Sequence, residues 1–144
     1  MIHIFLDTNV LIDFLADRKP FSQEAALLFN YSLKKKVNIY VAAISYNNIY
    51  YILRQSCAHI ETMRILNELE QLTETVDVTK VHIQKALKSG FKDFEDAIQY
   101  NCAKEINRID CIVTRNSKDF KLSSIPIMSP KEALSLVEST IRKN

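Results

Sequence analysis

Asp7, Asp96 and Asp119 stand in similar settings along the 144-residue chain, and they are the residues with the most chemical promise. Asp7 closes the apolar run Ile2 to Leu6 and is followed by Thr8 and Asn9. A second run, Cys111 to Thr114, ends in the polar Thr114-Arg115-Asn116. In parallel α/β sheets, ligands bind beyond the carboxyl ends of the strands, where strand order reverses. Asp7, Thr114 and Asn116 are therefore expected at one crevice. Carboxylates drawn together repel one another, and such an arrangement usually persists where a cation neutralises them. The expected chemistry is that of a hard, oxygen-ligated metal ion.

Each acid also has a structural explanation. Asp7 can act as a bare helix cap. Asp93, Asp96 and Tyr100 fall on one side of a helix by their spacing, with Phe94, Ile98 and Cys102 as its apolar stripe and Glu95 projecting away. Carboxylates in that first turn equally offset the helix macrodipole. Asp119, in Ser117-Lys118-Asp119-Phe120, can be a turn residue beside a docked phenylalanine. Asn9, Asn48 and Asn116 can complete a metal's coordination or water network as neutral oxygen donors, or serve as caps and turn formers. His3, His59 and His82 have no mutual metal-ligand spacing and receive no role.

Basic residues lie near these acids: Lys88, Lys92, Arg115, Lys118 and Lys121. Positive groups around an acidic centre are what a phosphate-backbone substrate requires. The net charge of +2 is too small to declare such a partner by itself, and Lys34 to Lys36 reads equally well as a solvated face. With one glycine, the chain has neither a dinucleotide loop nor a P-loop, and it has no Gly-x-Ser-x-Gly elbow. The odd, widely spaced Cys57, Cys102 and Cys111 read as buried reduced thiols.

The elements that must position these groups alternate between strand and helix. Residues 2–6 read as strand. A helix capped by Thr8 or Asn9 follows, ended by Pro20 and burying Val10, Leu11, Phe14 and Leu15. A second helix over 22–35 buries Ala25, Leu28, Phe29 and Leu33, and 37–43 is the next strand. Ser45 then caps a helix to about residue 56, paired as a hairpin with a helix over 60–71 that buries Met63, Leu66 and Leu69. Residues 75–78 read as strand. Helices follow over 79–89, with Gly90 as left-handed cap, and over 93–107. Strands over 111–114 and 125–128 precede a last helix with Pro130 at its first position. This alternation implies an α/β fold with a mainly parallel sheet covered on both faces.

Length predicts one domain spanning 1–144. Hydrophobic content of 47% and charged content of 25% are ordinary for a soluble globular protein and exclude disordered and fibrous classes. The apolar runs are too short to cross a bilayer, and an opening that enters Asp7 at once lacks a signal-peptide pattern. The expectation is a cytoplasmic protein with no membrane partner.

Four stretches, in order, resemble the PIN-domain family of VapC toxins and related ribonucleases. They are Phe5-Leu6-Asp7-Thr8-Asn9-Val10-Leu11, Ile44-Ser45 through Asn48-Ile49-Tyr50, Asp96-Ala97-Ile98 with Ala103, and Ile112-Val113-Thr114-Arg115-Asn116 with Asp119-Phe120. The closing Ile125 to Pro130 is similar to the family's last strand and helix entry. The resemblance implies a three-layer α/β/α sandwich on a five-stranded parallel sheet. It also implies endonucleolytic cleavage of RNA dependent on Mg²⁺ or Mn²⁺, as in the toxin of a toxin–antitoxin pair. Asp7 and Asp96 match the family's metal-binding acids. Asp119 would complete the catalytic set, Asp93 is a further local acid, and Asn9, Ser45, Asn48, Thr114 and Asn116 would orient water, ligands or phosphate. Arg115 and Lys118 would contact phosphate. Homodimers and an antitoxin inserting near the acidic groove are implied as well. Tyr46, Tyr50 and Tyr51 on the third helix read equally as an aromatic contact surface or as cover for the core with their hydroxyls in water.

Two positions depart from the family pattern. Asn48 stands where a glutamate is common after the second strand, and Asn116 where an acid is common after Thr-x. Two readings stay open: an active site with a shifted acid set, or a catalytically weakened or inactive domain that binds RNA or a protein partner. A phospho-acceptor receiver-like domain is a third reading. It requires a central aspartate ending the third strand, for which Asp77 is the only candidate, and a lysine ending the fifth, which Ile127-Met128-Ser129-Pro130 does not supply.

Overall fold

The computed structural model describes residues 1–143. Five strands, β1 (Ile2–Leu6), β2 (Val37–Ala42), β3 (Glu74–Val76), β4 (Cys111–Val113) and β5 (Ile127–Met128), form one parallel sheet in the order β3-β2-β1-β4-β5. The helices are α1 (Thr8–Leu15), α2 (Phe21–Leu33), α3 (Ala43–Leu53), α4 (His59–Leu72), α5 (Lys80–Leu87), α6 (Phe94–Lys104) and α7 (Pro130–Lys143), with a 3-10 turn at Ser117–Phe120.

The middle strand β1 is apolar throughout its second half because both its faces are covered, as parallel sheets require. Ile4 and Leu6 point into a core with α1, α2, α3, α4 and α7, whereas Phe5 points into a second core with α5, α6 and the 3-10 turn. Ile4, Phe5 and Leu6 are fully buried, each contributing about 1.5–3 kcal/mol of transfer free energy. Asp7 shares the parity of Phe5, so it leaves the strand on the α6 side. The expected α/β/α sandwich is thus present.

From β1 the chain builds outward through β2 to β3, then returns across the sheet to β4 and β5. The reversal falls between β1 and β4, and the crevice is at their carboxyl ends. Asp77 follows β3, an edge strand, so the central acid demanded by a receiver-like fold is not there.

Several boundaries differ from the expectations. Asp7, with extended backbone at φ −60° and ψ 145°, is the N-cap of α1, which therefore starts at Thr8. Ser45 lies inside α3, buried, because the helix begins two residues earlier at Ala43. The first helix ends at Leu15, well before Pro20, which instead precedes α2. Leu33, Met63 and Phe94 are exposed rather than core residues. Phe94 is the first residue of α6, at the exposed end of a stripe whose Ile98 and Cys102 are buried. Gly90 has the expected left-handed backbone, φ 79°, although α5 itself ends at Leu87. Cys102 and Cys111 are buried and Cys57 is half-buried, all three as free thiols. No described helix is long and apolar enough to cross a membrane.

Candidate active site

The carboxyl end of β1 delivers Asp7 to a crevice walled by α6. Its amide donates to the Val113 carbonyl at 3.0 Å, which continues the sheet pairing by one residue and fixes where the side chain starts. The carboxylate is almost entirely covered, at 2% exposure, and is held at both oxygens. Gln99 Nε2 donates to Oδ1 at 3.1 Å and Thr114 Oγ1 donates to Oδ2 at 2.8 Å. Burial raises its pKa above the ordinary aspartate value, and the bonds from Thr114 and Gln99 oppose that rise.

Gln99, fully buried on α6, was not anticipated from the sequence, and neither was Thr8 as part of the centre. Gln99 Oε1 accepts the Thr8 amide at 3.1 Å, so one side chain spans the strand-to-helix junction. The Thr8 hydroxyl donates to Glu95 Oε2 at 2.7 Å and lies 2.7 Å from the Ser45 hydroxyl. Since Thr8 has one hydroxyl proton, the consistent arrangement is Ser45 donating to Thr8 and Thr8 donating to Glu95. The expectation that Glu95 projects away is therefore overturned. The i,i+4 spacing of Glu95 and Gln99 was the available signal, masked by assigning the helix face to Asp93, Asp96 and Tyr100.

Asp96 sits in the first turn of α6 at 9% exposure. Burial is the main reason its pKa is pushed up to about 7, and the charges of Asp7, Asp93, Asp119 and Glu95 add to it. Asp93 is exposed and caps α6, its Oδ1 accepting the Asp96 amide at 2.9 Å. Asp119 is exposed on the 3-10 turn. Tyr100, placed with these acids in the sequence reading, turns elsewhere: its hydroxyl lies 3.0 Å from that of Ser124, and its ring stacks on Phe91.

Of the polar residues, Thr114 bonds Asp7 directly, and the amide of exposed Asn116 donates to Thr114 Oγ1 at 3.1 Å. Asn9 is exposed and Asn48 half-buried. Lys118 lines a groove of about 620 Å³ with Lys92, Lys121, Asp119 and Phe91, beside the acids. Arg115 is engaged differently from the phosphate contact expected of it. Its Nε donates to Oδ2 of buried Asp13 at 2.5 Å and its Nη2 to Oδ1 at 3.2 Å, while the guanidinium stacks 3.9 Å from the Phe21 ring centre. Arg115 thereby ties α1 to the loop after β4.

None of Asp7, Asp93, Glu95, Asp96 and Asp119 is in an ion pair among the described residues. Nor, as placed, do three His, Cys, Asp or Glu side chains among the described residues stand close enough to share one ion. Asp93 is held back by its capping bond and Glu95 by Thr8, which accounts for a ring of acids rather than a closed cage. The donors are nonetheless all oxygen, and each Asp7 oxygen accepts one hydrogen bond from a side chain, leaving acceptor capacity. Such a set suits a hard divalent cation, with Asp7 and Asp96 as the residues that would hold it.

Residues 3–118 match the PIN-domain family. The chain belongs to it. Among its relatives, the ribonuclease VapC1 of Aquifex aeolicus (strain VF5) is 22% identical over 138 residues, covering 90% of this PIN domain chain and 91% of that protein. The VapBC-1 structure from nontypeable Haemophilus influenzae superposes with a TM-score of 0.66 at 15% identity, covering 90% and 99% of the two chains. A toxin–antitoxin complex from Klebsiella pneumoniae gives 0.60 at 21% identity, covering 88% and 97%. These superpositions place the chain among VapC-like PIN folds.

Proposed function

We propose that this PIN domain is a metal-dependent endoribonuclease, the toxin of a toxin–antitoxin pair, which hydrolyses RNA phosphodiesters at the crevice between β1 and α6. One observation carries this reading: two buried carboxylates, Asp7 and Asp96, face a shared crevice at the sheet's reversal point, the first of them clamped by Gln99 and Thr114. Family membership and the ribonuclease name of the Aquifex relative support it.

A Mg²⁺ or Mn²⁺ ion held by Asp7 and Asp96 would supply a bound water of lowered pKa and positive charge beside the scissile phosphate. The chain's own groups do the rest. Gln99 and Thr114 fix the Asp7 carboxylate against rotation, so its free lone pairs keep one direction. Thr8, backed by Ser45, holds Glu95 by one carboxylate oxygen. Asp119 and Asp93 add negative charge at the margin, and Asn9, Asn48 and Asn116 offer neutral polar groups to water and phosphate. Lys118, with Lys92 and Lys121, gives the RNA backbone a positive wall. Arg115 serves the scaffold through Asp13.

The Klebsiella toxin–antitoxin complex supports an antitoxin partner for this chain. The reading further takes the antitoxin to reach the acidic groove and the toxin to act as a cytoplasmic homodimer, one domain over 1–144. Exposed Tyr51, edge-on to Tyr50, gives α3 an aromatic surface for such contacts. The test is cleavage of a mixed pool of structured and single-stranded RNAs with Mg²⁺, Mn²⁺ or EDTA, alongside Asp7→Ala and Asp96→Ala proteins. Cutting that needs metal and is lost in both folded variants is expected. Full activity in folded Asp7→Ala protein would sink the reading. Asn48 and Asn116 favour a second one, a non-catalytic domain that binds RNA, and RNA retention without cutting in any metal would select it.

A further inference from the structure

We infer that the groove beside the acids is a nucleobase subsite, in which one unstacked base of a single-stranded RNA rests on the Phe91 ring while Lys92, Lys118 and Lys121 hold the adjoining phosphates. The inference rests on the RNA-cleaving reading above and names the part of the substrate that it left open. Its ground is the mixed character of the groove. At about 620 Å³ it falls within the roughly 300–1,000 Å³ of small-ligand sites, and it joins the three lysines to the apolar Phe91 and Leu122.

The Phe91 ring is held before anything binds. The Ser89 hydroxyl donates to the Ala86 carbonyl at 2.8 Å and accepts the Phe91 amide at 3.2 Å, and Gly90 between them takes φ 79°, a conformation that glycine adopts freely. Inward, the ring stacks on Tyr100 at 5.2 Å between centres and meets buried Phe120 edge-on at 6.0 Å. Tyr100 is fixed in turn by Ser124, whose hydroxyl and amide each lie 3.0 Å from the tyrosine hydroxyl. A half-buried ring so braced offers its remaining surface to the groove at little entropic cost.

Core cover explains only the inner side of Phe91. Apolar surface continues outward to Leu122, which is 54% exposed and packs beside Gly90. A single exposed leucine is ordinary. One that extends a half-buried aromatic ring between three cations makes an apolar patch with a positive rim, the combination by which single strands are bound through base stacking and phosphate contact together. Charge complementarity decides the occupant. None of Lys92, Lys118 and Lys121 is ion-paired among the described residues, and Asp119 is the one acid among the residues lining the groove.

Asp119 also joins the groove to the acidic crevice, since its charge is felt at Asp96. Tyr100, against which Phe91 stacks, follows Asp96 by one turn of α6, about 5.4 Å of rise. A base on Phe91 therefore belongs to a nucleotide beside the scissile phosphate. Bases paired and stacked in a duplex have no face free for the ring, so the subsite selects unpaired RNA.

The experiment is fluorescence anisotropy in EDTA, across a salt series, with the full chain and two probes: a short oligouridylate and a fully abasic ribose-phosphate strand of equal length and charge. The unsubstituted chain is expected to bind the oligouridylate more tightly. Phe91→Leu keeps apolar bulk and loses the aromatic face. It is expected to weaken oligouridylate binding by about 5- to 30-fold, the lower part of the range for a lost base stack, with abasic-strand binding and the salt slope unchanged. Phe91→Trp is expected to retain the preference, and Leu122→Ser, at an exposed position, to reduce it by less than Phe91→Leu does. Equal affinity of the unsubstituted chain for both strands, or equal losses for both in Phe91→Leu, would overturn the subsite. So would unchanged oligouridylate binding in folded Phe91→Leu, or in Leu122→Ser where Phe91→Leu does not fold. Metal-dependent cleavage of the RNA pool, lost in Asp7→Ala, would then leave the nuclease reading standing; no cleavage and no binding of either strand would overturn both.

Discussion

Gln99 clamps Asp7: its amide nitrogen donates to Asp7 Oδ1 at 3.1 Å, and its amide oxygen accepts the Thr8 backbone N–H at the same distance. The two ends of one buried side chain therefore fix the last residue of the strand and the first residue of the helix together. Gln99→Leu has nearly the same volume and removes both bonds, leaving the Thr8 amide and one Asp7 oxygen without their partner. A loss of roughly 2–4 kcal/mol is expected from the usual cost of unsatisfied buried polar groups, read as a lower midpoint in urea at unchanged slope. Gln99→Glu keeps the acceptor for Thr8 and places a carboxylate against Asp7. It should recover less than half of the loss above pH 7; complete recovery would show that the bond to Asp7 contributes little.

Asp7 was legible because it closes a β-rich apolar run, and Asp96 because it lies with Asp93 at the start of a helix whose Phe94, Ile98 and Cys102 mark an apolar stripe. Gln99 and Glu95 were not. Successive helix positions turn by roughly 100°, so Glu95 and Gln99 share a side of α6 next to, but distinct from, the one that carries Asp96 and Tyr100. Assigning the functional face to Asp93, Asp96 and Tyr100 left out the adjacent side, where Glu95 and Gln99 meet Thr8. The Asp13–Arg115 pair was hidden for a different reason. Its partners lie 102 positions apart, and nothing local to either reveals a contact created only when α1 packs beside the loop after β4. The succession of strands and helices, which depends on periodicity, was accessible; the order of strands in the sheet and the pairings made across the crevice were not.

Asp96 makes the metal-free fold sensitive to pH in a stated direction. Burial, with the charges of Asp7, Asp93, Asp119 and Glu95, lifts its pKa from the ordinary 3.8 to about 7. The folded state therefore favours the protonated acid. Its contribution is fully present below the unfolded pKa and is lost as pH rises from about 4 through about 7. In EDTA, Asp96→Asn should melt higher than the unsubstituted chain at pH 8, by roughly 3–8 °C if the relief is one to two kcal/mol. At pH 4.5 the difference should shrink towards zero. An equal difference at both pH values would show that ionisation of Asp96 is not its cause.

Arg115→Ala should fail through stability before it fails through RNA binding. The substitution leaves the buried Asp13 carboxylate with only the distant Arg18 guanidinium, at 3.9 Å, and strips the stacking cation from Phe21. Removing one partner of a buried ion pair costs about 3–5 kcal/mol, and the partial exposure of Arg115 places the expected loss at the lower end. Pairing it with Asp13→Asn should return part of that stability, because the stranded charge disappears. If instead Arg115→Ala folds as well as the parent and selectively loses RNA, the phosphate contact is its main task.

The lysine wall carries the remaining prediction, because its effect is distinguishable from that of the acids. Lys118 and Lys121 flank Asp119 along the groove, with Lys92 opposite, and all three are exposed. Exposed cations that meet a phosphate backbone act by counterion release, so each one removed should reduce the salt slope of RNA affinity by about 0.7 for a single strand. Lys118→Ala and Lys121→Ala together should weaken binding of a single-stranded RNA in EDTA by roughly tenfold at low salt, and by little at high salt. Melting temperature and Mn²⁺ affinity should hold, since neither side chain touches Asp7 or Asp96. The measurement is RNA binding by fluorescence anisotropy across a salt series. A slope identical to that of the parent would move the RNA path off this groove and onto another face of the molecule, while leaving the acidic crevice as the site of chemistry.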